Sequence, residues 1–205
     1  GGGGGGIVPY PPGLAQGPVT LRLGQTLAEV TTLRQDVETD GRHAVVRFGT
    51  DWTADASRRD FTLNALYCAA DGTIYDPLGG LPDALAGRVR FIGVPGERIA
   101  EDGLRVYRFF RFSASHGGET LDPDGLRACA DAVGRLDHLS AERVGSEMLR
   151  MLALPKVTRT LGAMAAIGLL KVEDAALRPL AQYEALGGHG VAARLVLLGM
   201  DLDAL

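Results

Sequence analysis

The period of the hydrophobic pattern changes once along this chain, near residue 78, and that change limits the possible folds more than any other feature. Before it, Val19, Leu21 and Leu23 alternate with Thr20 and Arg22, and Gly24-Gln25 supplies a turn. The return segment then puts Ala28, Val30 and Thr32 on one face and Leu27, Glu29 and Thr31 on the other. A polar, turn-rich passage follows to Trp52, and residues 53–70 read as a helix that Thr53 or Asp55 would cap. Residues 71–93 are rich in Gly and Pro, with turn signals at Asp71-Gly72 and Gly79-Gly80. Beyond them the apolar spacing is helical. Residues 95–117 predict one helix burying Ile99, Leu104, Tyr107 and Phe110/Phe112. Residues 122–136 and 140–154 predict two more, the second N-capped by Ser140, and residues 156–205 three short ones. The fold class is therefore α+β: a β-sheet head and an all-helical remainder.

Composition removes several classes. A chain of 205 residues, 46% hydrophobic and 22% charged, has enough apolar material to bury a core. No apolar run approaches the ~20 residues that span a bilayer, and no basic-plus-apolar segment opens the chain. Cys68 and Cys129 lack CxxC spacing, which leaves no disulfide framework or Cys-ligated zinc and makes a reducing cytoplasm the expected location. A net charge of −4 excludes binding nucleic acid by bulk charge, yet residues 88–111 carry six Arg against three acids. The basic residues are 19 Arg and only Lys156 and Lys171, so positive charge here is mostly planar, bidentate guanidinium. The six glycines at 1–6 read as an artefact or a placeholder rather than a phosphate loop, since no Gly-Lys-Ser/Thr follows them.

Three constellations carry chemistry. In "RRDFTLNALY" a helix would place Asp60 and Asn64 on one face beside Arg58 and Arg59. A carboxylate, a carboxamide and guanidinium suit a ribose hydroxyl and a phosphate tail. On spacing alone, a solvated salt-bridge cluster is the plainer reading. In "EDGLRVYRFFR", Asp102, Arg105, Arg108 and Arg111 recur at steps of three and would line one wall of a groove. An Asp–Arg pair fixed there can accept from an exocyclic amino group and donate to the neighbouring ring nitrogen. Cytosine and adenine offer that pattern, whereas uracil and guanine offer its reverse. A mismatch would strand buried polar groups at ~1–3 kcal/mol each. Here too spacing alone favours ordinary helical ion pairs, Glu101–Arg105 among them. The third constellation is Glu29, one acidic residue on a strand, which could ligate Mg²⁺ with help from further carboxylates and substrate phosphates. Asp122-Pro123-Asp124 reads as a turn entering a helix, Asp201-Leu202-Asp203 closes the sequence, and His43, His116, His138 and His189 share no ligand spacing.

Taken together, "EVTTLRQDVETDGRHAVVRFGTDWTADASRRDFTLNALY", "DGTIYDPLGGLPDALAGRVRFIGVPGERIAEDGLRVYRFFRFSA" and "LSAERVGSEMLRML" resemble the class II tRNA nucleotidyltransferase/poly(A) polymerase family, above all its CCA-adding enzymes. The resemblance runs from about residue 7 to 170. It implies a partial nucleotidyltransferase head at 7–78, a nucleotide-templating helical neck at 79–150 and a helical body at 151–205. It also implies that Glu29 is a catalytic carboxylate holding Mg²⁺, and that Arg59, Asp60 and Asn64 contact ribose and triphosphate. Asp102, Arg105, Arg108 and Arg111 would form the neck's nucleotide-binding helix, with Asp102 and Arg105 as protein template, and "SAERVGSE" would brace that helix.

The implied reaction adds C, C and A to the 3′ end of tRNA from CTP and ATP. Poly(A) polymerase and CC- or A-adding enzymes fit the same motifs, and a non-catalytic RNA-binding remnant is a reading of another class. The family's Asp-x-Asp pair has no match among the 28 residues before Glu29, so the chain by itself is not expected to catalyse. Pro12, Gln16 and Pro18 stand where the family usually has Thr, His and Thr.

Overall fold

The computed structural model describes residues 51–200 in full and, before them, the backbone of four strands. The chain divides into two compact units, Gly1–Asp51 and Trp52–Leu205.

In the first unit, β1 (Val19–Leu23) pairs antiparallel with β2 (Thr26–Val30), from Val19↔Val30 to Leu23↔Thr26, as the alternation predicts. A second hairpin, β3 (Arg34–Thr39) with β4 (Ala44–Phe48), occupies the passage read as polar and turn-rich. Its register shifts between Asp36 and Glu38. Arg34, Gln35, Asp36 and Glu38 hide the strand in β3, because ladder hydrogen bonds are indifferent to side-chain polarity. Glu29 lies on β2 opposite Thr20; its side chain is outside the described residues.

The second unit begins with α1 (Trp52–Ser57). The helix expected over 53–70 ends there. Phe61 instead forms an antiparallel bridge with Phe91, closed by Thr62 N–H to the Arg90 carbonyl (3.0 Å) and Ile92 N–H to the Asp60 carbonyl (3.0 Å). Phe61 is fully buried and its ring meets Phe91 at 5.0 Å and Phe112 at 5.4 Å. Burying that aromatic outweighs the few tenths of a kcal/mol per residue that helix propensity offers. Neither Thr53 nor Asp55 caps a helix, since both lie inside α1. A 3-10 turn at Thr62–Asn64 leads to the hairpin β5 (Tyr67–Cys68) and β6 (Ile74–Tyr75), which turns at Gly72 with φ +87. The short helix α2 (Leu81–Leu85) then stands inside the Gly/Pro-rich passage.

The helix expected over 95–117 is two. It breaks at Asp102-Gly103, between α3 (Pro95–Glu101) and α4 (Leu104–His116). Asp102 is extended (φ −150, ψ 104) and its Oδ1 accepts from Leu104 N–H at 3.1 Å. Short polar side chains bond nearby backbone in this way in competition with the helix. A Cβ at Gly103 would stand 2.9 Å from Leu136 Cδ2, so a side chain there would push that leucine end aside.

Two helices follow as predicted. In α5 (Pro123–Ala132) the Asp122 side chain accepts from Gly125 N–H, and in α6 (Ala141–Leu152) Ser140 caps through Arg143 N–H. The final three are α7 (Thr158–Ala166), α8 (Asp174–Ala185) and α9 (Val191–Leu197). Phe61, Phe91, Val106, Phe109 and Phe110 form the core beneath α4, and it continues through Met148, Met151, Leu161 and Met164. The α4 stripe is wider than the spacing suggested: Val106 and Phe109 are fully buried, while Tyr107 and Phe112 are only half-buried. Fully buried Arg194 of α9 fastens the end of α6 by donating to the carbonyls of Leu152 (2.6 Å) and Pro155 (2.8 Å) and pairing with Glu184.

Candidate functional site: an arginine-lined groove

A groove of about 440 Å³ opens where the Arg58–Asn64 segment meets the start of α4. That volume is within the range of small-molecule sites. Arg58, Arg59, Arg105, Arg108 and Arg143 line it together with Asp60, Asp102, Asn64 and Phe112, so five guanidiniums face two carboxylates. Six sequence-predicted residues converge here: Arg59, Asp60, Asn64, Asp102, Arg105 and Arg108. The shared helical face expected for Asp60 and Asn64 is absent, yet they still touch through Asn64 Nδ2 and Asp60 Oδ1 at 2.8 Å. A bend following a buried Phe achieves what the helix was invoked for.

Asp60 is the structural centre and only 6% exposed. Its Oδ1 also accepts from Phe61 N–H (3.0 Å), and its Oδ2 accepts from Arg108 Nε (2.7 Å) and forms an ion pair with Nη2 (2.5 Å). Three hydrogen bonds and that ion pair take up most of the roughly four lone-pair sites of a carboxylate. Asp60 therefore serves as an organiser that holds Asn64 and Arg108. Asn64 Oδ1 has no partner among the described residues, and Arg108 Nη1 makes only an ion pair to Glu147 Oε1 at 3.7 Å. These are the groups with capacity left for a ligand.

Sequence reasoning did not anticipate Asp55 or Tyr67. Asp55 is 1% exposed and binds Arg58 through Oδ1 (2.5 Å), and Arg59 (3.0 Å) and the Tyr67 hydroxyl (2.8 Å) through Oδ2. Burial pushes the Tyr67 hydroxyl above its ordinary value, and its hydrogen bond to Asp55 adds to this. Burial alone would lower Arg59, but hydrogen bonding and charge from Asp55 outweigh it and hold the guanidinium up. Asp55 thus aims two guanidiniums at the groove. The signal was present as Asp55 lying i, i+3 and i, i+4 from Arg58 and Arg59.

On the opposite wall Asp102 sits before α4 rather than on it, and its Oδ2 accepts from Arg143 Nη2 at 3.1 Å. Arg105 donates through Nη1 alone, to Glu101 (2.5 Å) and the Arg98 carbonyl (2.7 Å), which leaves Nε and Nη2 without partners among the described residues. Burial would raise the Glu101 carboxyl, but hydrogen bonds and charge from Arg105 and Arg98 outweigh it and lower it overall. Arg111 does not line the groove. It pairs with buried Glu147 (2.5 Å) and lies over the Phe112 ring at 4.3 Å. Its place in the i, i+3 row carries it past the groove mouth.

Among the described residues no group of three or more His, Cys, Asp or Glu is placed to hold a metal. Both groove carboxylates are engaged by arginine, so the groove does not fit Mg²⁺. His116, His138 and His189 are exposed, and Asp122 caps α5 where the sequence suggested a turn entering a helix.

The head-domain profile of poly(A) polymerases matches residues 9–90, and a profile described as the probable RNA and SrmB-binding site of polymerase A matches residues 120–173. Over these segments the chain is similar to the class II tRNA nucleotidyltransferase/poly(A) polymerase family. It is 44% identical over 142 residues to the mitochondrial CCA tRNA nucleotidyltransferase 1 of Danio rerio, covering 68% of this chain and 33% of that one. A CCA-adding enzyme of Listeria monocytogenes is 34% identical over 166 residues, covering 80% and 41%. The crystal structure of the Bacillus stearothermophilus CCA-adding enzyme in complex with CTP superposes with a TM-score of 0.66 at 34% identity, over 76% of this chain and 37% of that one. A tRNA-processing enzyme with CTP shares the fold at TM-score 0.69 and 22% identity, over 92% of this chain and 55% of that one. The chain spans 33% to 41% of the length of these curated relatives. Among the described residues no helix is long and apolar enough to cross a membrane.

Proposed function

We propose that the complete protein is a template-independent RNA nucleotidyltransferase that adds CCA to tRNA 3′ ends from CTP and ATP, and that the groove is its nucleotide site. One observation carries this reading: Asp102 and Arg105 line the same groove as Asn64 and Arg108, each with bonding capacity left. Asp102 accepts from the N4 or N6 amino group while Arg105 donates to the adjacent ring nitrogen. At the other end Asn64 Oδ1 accepts a ribose hydroxyl, and Arg58, Arg59 and Arg108 face the phosphates. Residues 7–78 would be head, 79–150 neck and 151–205 body, with Arg111 supporting the neck from outside the groove. Mg²⁺ would supply charge neutralisation at the transferred phosphate when bound; Glu29 is the one residue of this chain put forward to hold it. Two cysteines with no disulfide between them suit a reducing compartment, and we place the protein in the cytoplasm. Relatives named as mitochondrial make the mitochondrion the alternative that subcellular fractionation decides.

Equilibrium binding of CTP, ATP, UTP and GTP to the 205-residue chain tests the site. CTP and ATP should bind at least about tenfold more tightly than UTP and GTP, and Asp102→Ala should erase that ratio. Equal affinity for all four would sink the template assignment. Incorporation of labelled CTP and ATP onto tRNA lacking its 3′ CCA tests the reaction in the complete protein. The description of the head profile favours poly(A) polymerase as a second reading, and incorporation of ATP alone would establish that instead.

A further inference from the structure

We infer that Arg98 is a positioning residue that fixes the spacing between the two ends of the groove, Asp102 and Arg105 at one and Arg58 and Arg59 at the other. That these ends take a base and a phosphate tail rests on the nucleotide reading above. Arg98 projects from α3, does not line the groove, and its side chain is 13% exposed. Its Nη2 donates to the carbonyls of Arg58 (3.0 Å) and Arg59 (2.5 Å), 40 and 39 positions away. Its Nη1 pairs with Glu101 Oε2 at 2.5 Å, the same oxygen that Arg105 Nη1 meets at 2.5 Å. The Arg98 carbonyl accepts from Arg105 Nη1 (2.7 Å) and from Asp102 N–H (3.4 Å). One residue thus bonds the backbone of both arginines at one end and, through its carbonyl and Glu101, both residues at the other.

The chemistry of the side chain suits this task. Carbonyls at the end of a helix lack intrahelical partners and carry the negative end of its dipole, so a cation is favoured just past α1. A lysine would supply that charge, but only a planar fork reaches two carbonyls with one nitrogen and a carboxylate with another in fixed geometry. The third nitrogen, Nε, is buried with no partner among the described residues, so the pose is held at the expense of one unsatisfied donor. Asp55 gathers the guanidiniums of Arg58 and Arg59, whereas Arg98 holds their backbone to α3. Without Arg98 the two tips stay together on Asp55, and the segment shifts as one piece against Asp102 and Arg105. A ligand seated at those two residues then meets the other arginines out of register.

Arg98→Met in the 205-residue chain keeps an unbranched stem and removes the fork. In the nucleotide-free protein, hydrogen exchange at Arg59 N–H, which bonds the Ala56 carbonyl at 3.1 Å, should accelerate about tenfold by ¹⁵N NMR. Exchange at Leu161 N–H in α7, bonded to the Val157 carbonyl at 2.8 Å, should stay at the parent's rate, which separates a local release from general destabilisation. CTP affinity should fall about tenfold and CMP affinity by less than about twofold, because CMP lacks the outer phosphates that the shift misplaces. The CTP-to-UTP ratio should persist, since Asp102 keeps Arg143 and Arg105 keeps Glu101. Arg98→Lys keeps the charge without the fork and should show the same losses; it also carries the test if the Met variant does not fold. A Lys variant with the parent's CTP-to-CMP ratio overturns the proposal, as do equal losses for CTP and CMP or unchanged Arg59 exchange. If the unmodified chain does not bind CTP, the nucleotide reading falls, and the exchange measurement alone still decides whether Arg98 holds the Arg58–Arg59 backbone.

Discussion

Replacing Asp60 by Ala removes the acceptor for three hydrogen bonds and an ion pair at one stroke, and the structure sets the size of the loss. The Phe61 N–H is buried beneath its own ring and finds no substitute, an orphaned donor costing ~1–3 kcal/mol. Asn64 is half-buried and can turn its amide to water at little cost. Arg108 is 31% exposed and keeps Glu147, so its loss is about 1 kcal/mol rather than the ~3–5 kcal/mol of a fully buried, deserted charge. The total is about 2–4 kcal/mol. At ~2–4 °C per kcal/mol for a domain of this size, the melting temperature should drop by roughly 5–15 °C. Thermal unfolding followed by circular dichroism measures it, with 0.5 M salt as a second condition. A buried pair is screened little, so salt should leave the difference in place. Asn64→Ala makes the contrast, with a small stability loss and a larger loss of CTP affinity, because it removes the free acceptor rather than its holder. A D60A chain melting within about 2 °C of the parent would refute the organiser role.

Three further outcomes follow from local geometry. Gly80→Ala would set a Cβ 2.2 Å from the Thr62 carbonyl oxygen, a backbone atom with no freedom to yield, and should destabilise by ~1–3 kcal/mol in the same melting assay. Cys129 is fully buried and burial pushes its thiol up to about 12, whereas Cys68 is exposed; a thiol reagent at pH 8 should titrate one cysteine in the folded chain and the second only in denaturant. Burial would raise the Asp83 carboxyl, but the Thr62 hydroxyl and the Arg90 and Arg88 guanidiniums outweigh it and hold it below the usual carboxylate range. Its contribution is therefore complete above the unfolded value of ~3.9 and lost as pH falls through the lower folded value, so Asp83→Asn should flatten the acid limb of a stability–pH curve.

Much of the helical unit was legible because its signals are local. Ser140 and Asp122 announce their helices by capping chemistry, and the apolar spacing marks α5, α6 and the three helices after them. The helices drawn through Phe61 and through Asp102-Gly103 both obeyed local periodicity; the first breaks where a distant partner decides, the second where the Asp102 side chain takes the Leu104 N–H. Phe61 pairs with Phe91, 30 positions away, and Gly103 lies against Leu136. The Asp102-Gly103 dipeptide was a readable turn signal; the Phe61 bridge had none.

The family resemblance, rather than spacing alone, nominated Arg59, Asp60, Asn64, Asp102, Arg105 and Arg108, and the folded chain gathers all six into one groove. Spacing could not assign their roles. Whether a carboxylate binds a ligand or holds a neighbour depends on how many donors surround it, and Asp60 takes one of them from Arg108, 48 positions away. The same holds for Arg111, which pairs with buried Glu147, 36 positions away, and does not line the groove. Residue type and spacing determined which chemistry the chain carries. Desolvation and long-range packing, which exist only after folding, decided which of those groups remain free to use it.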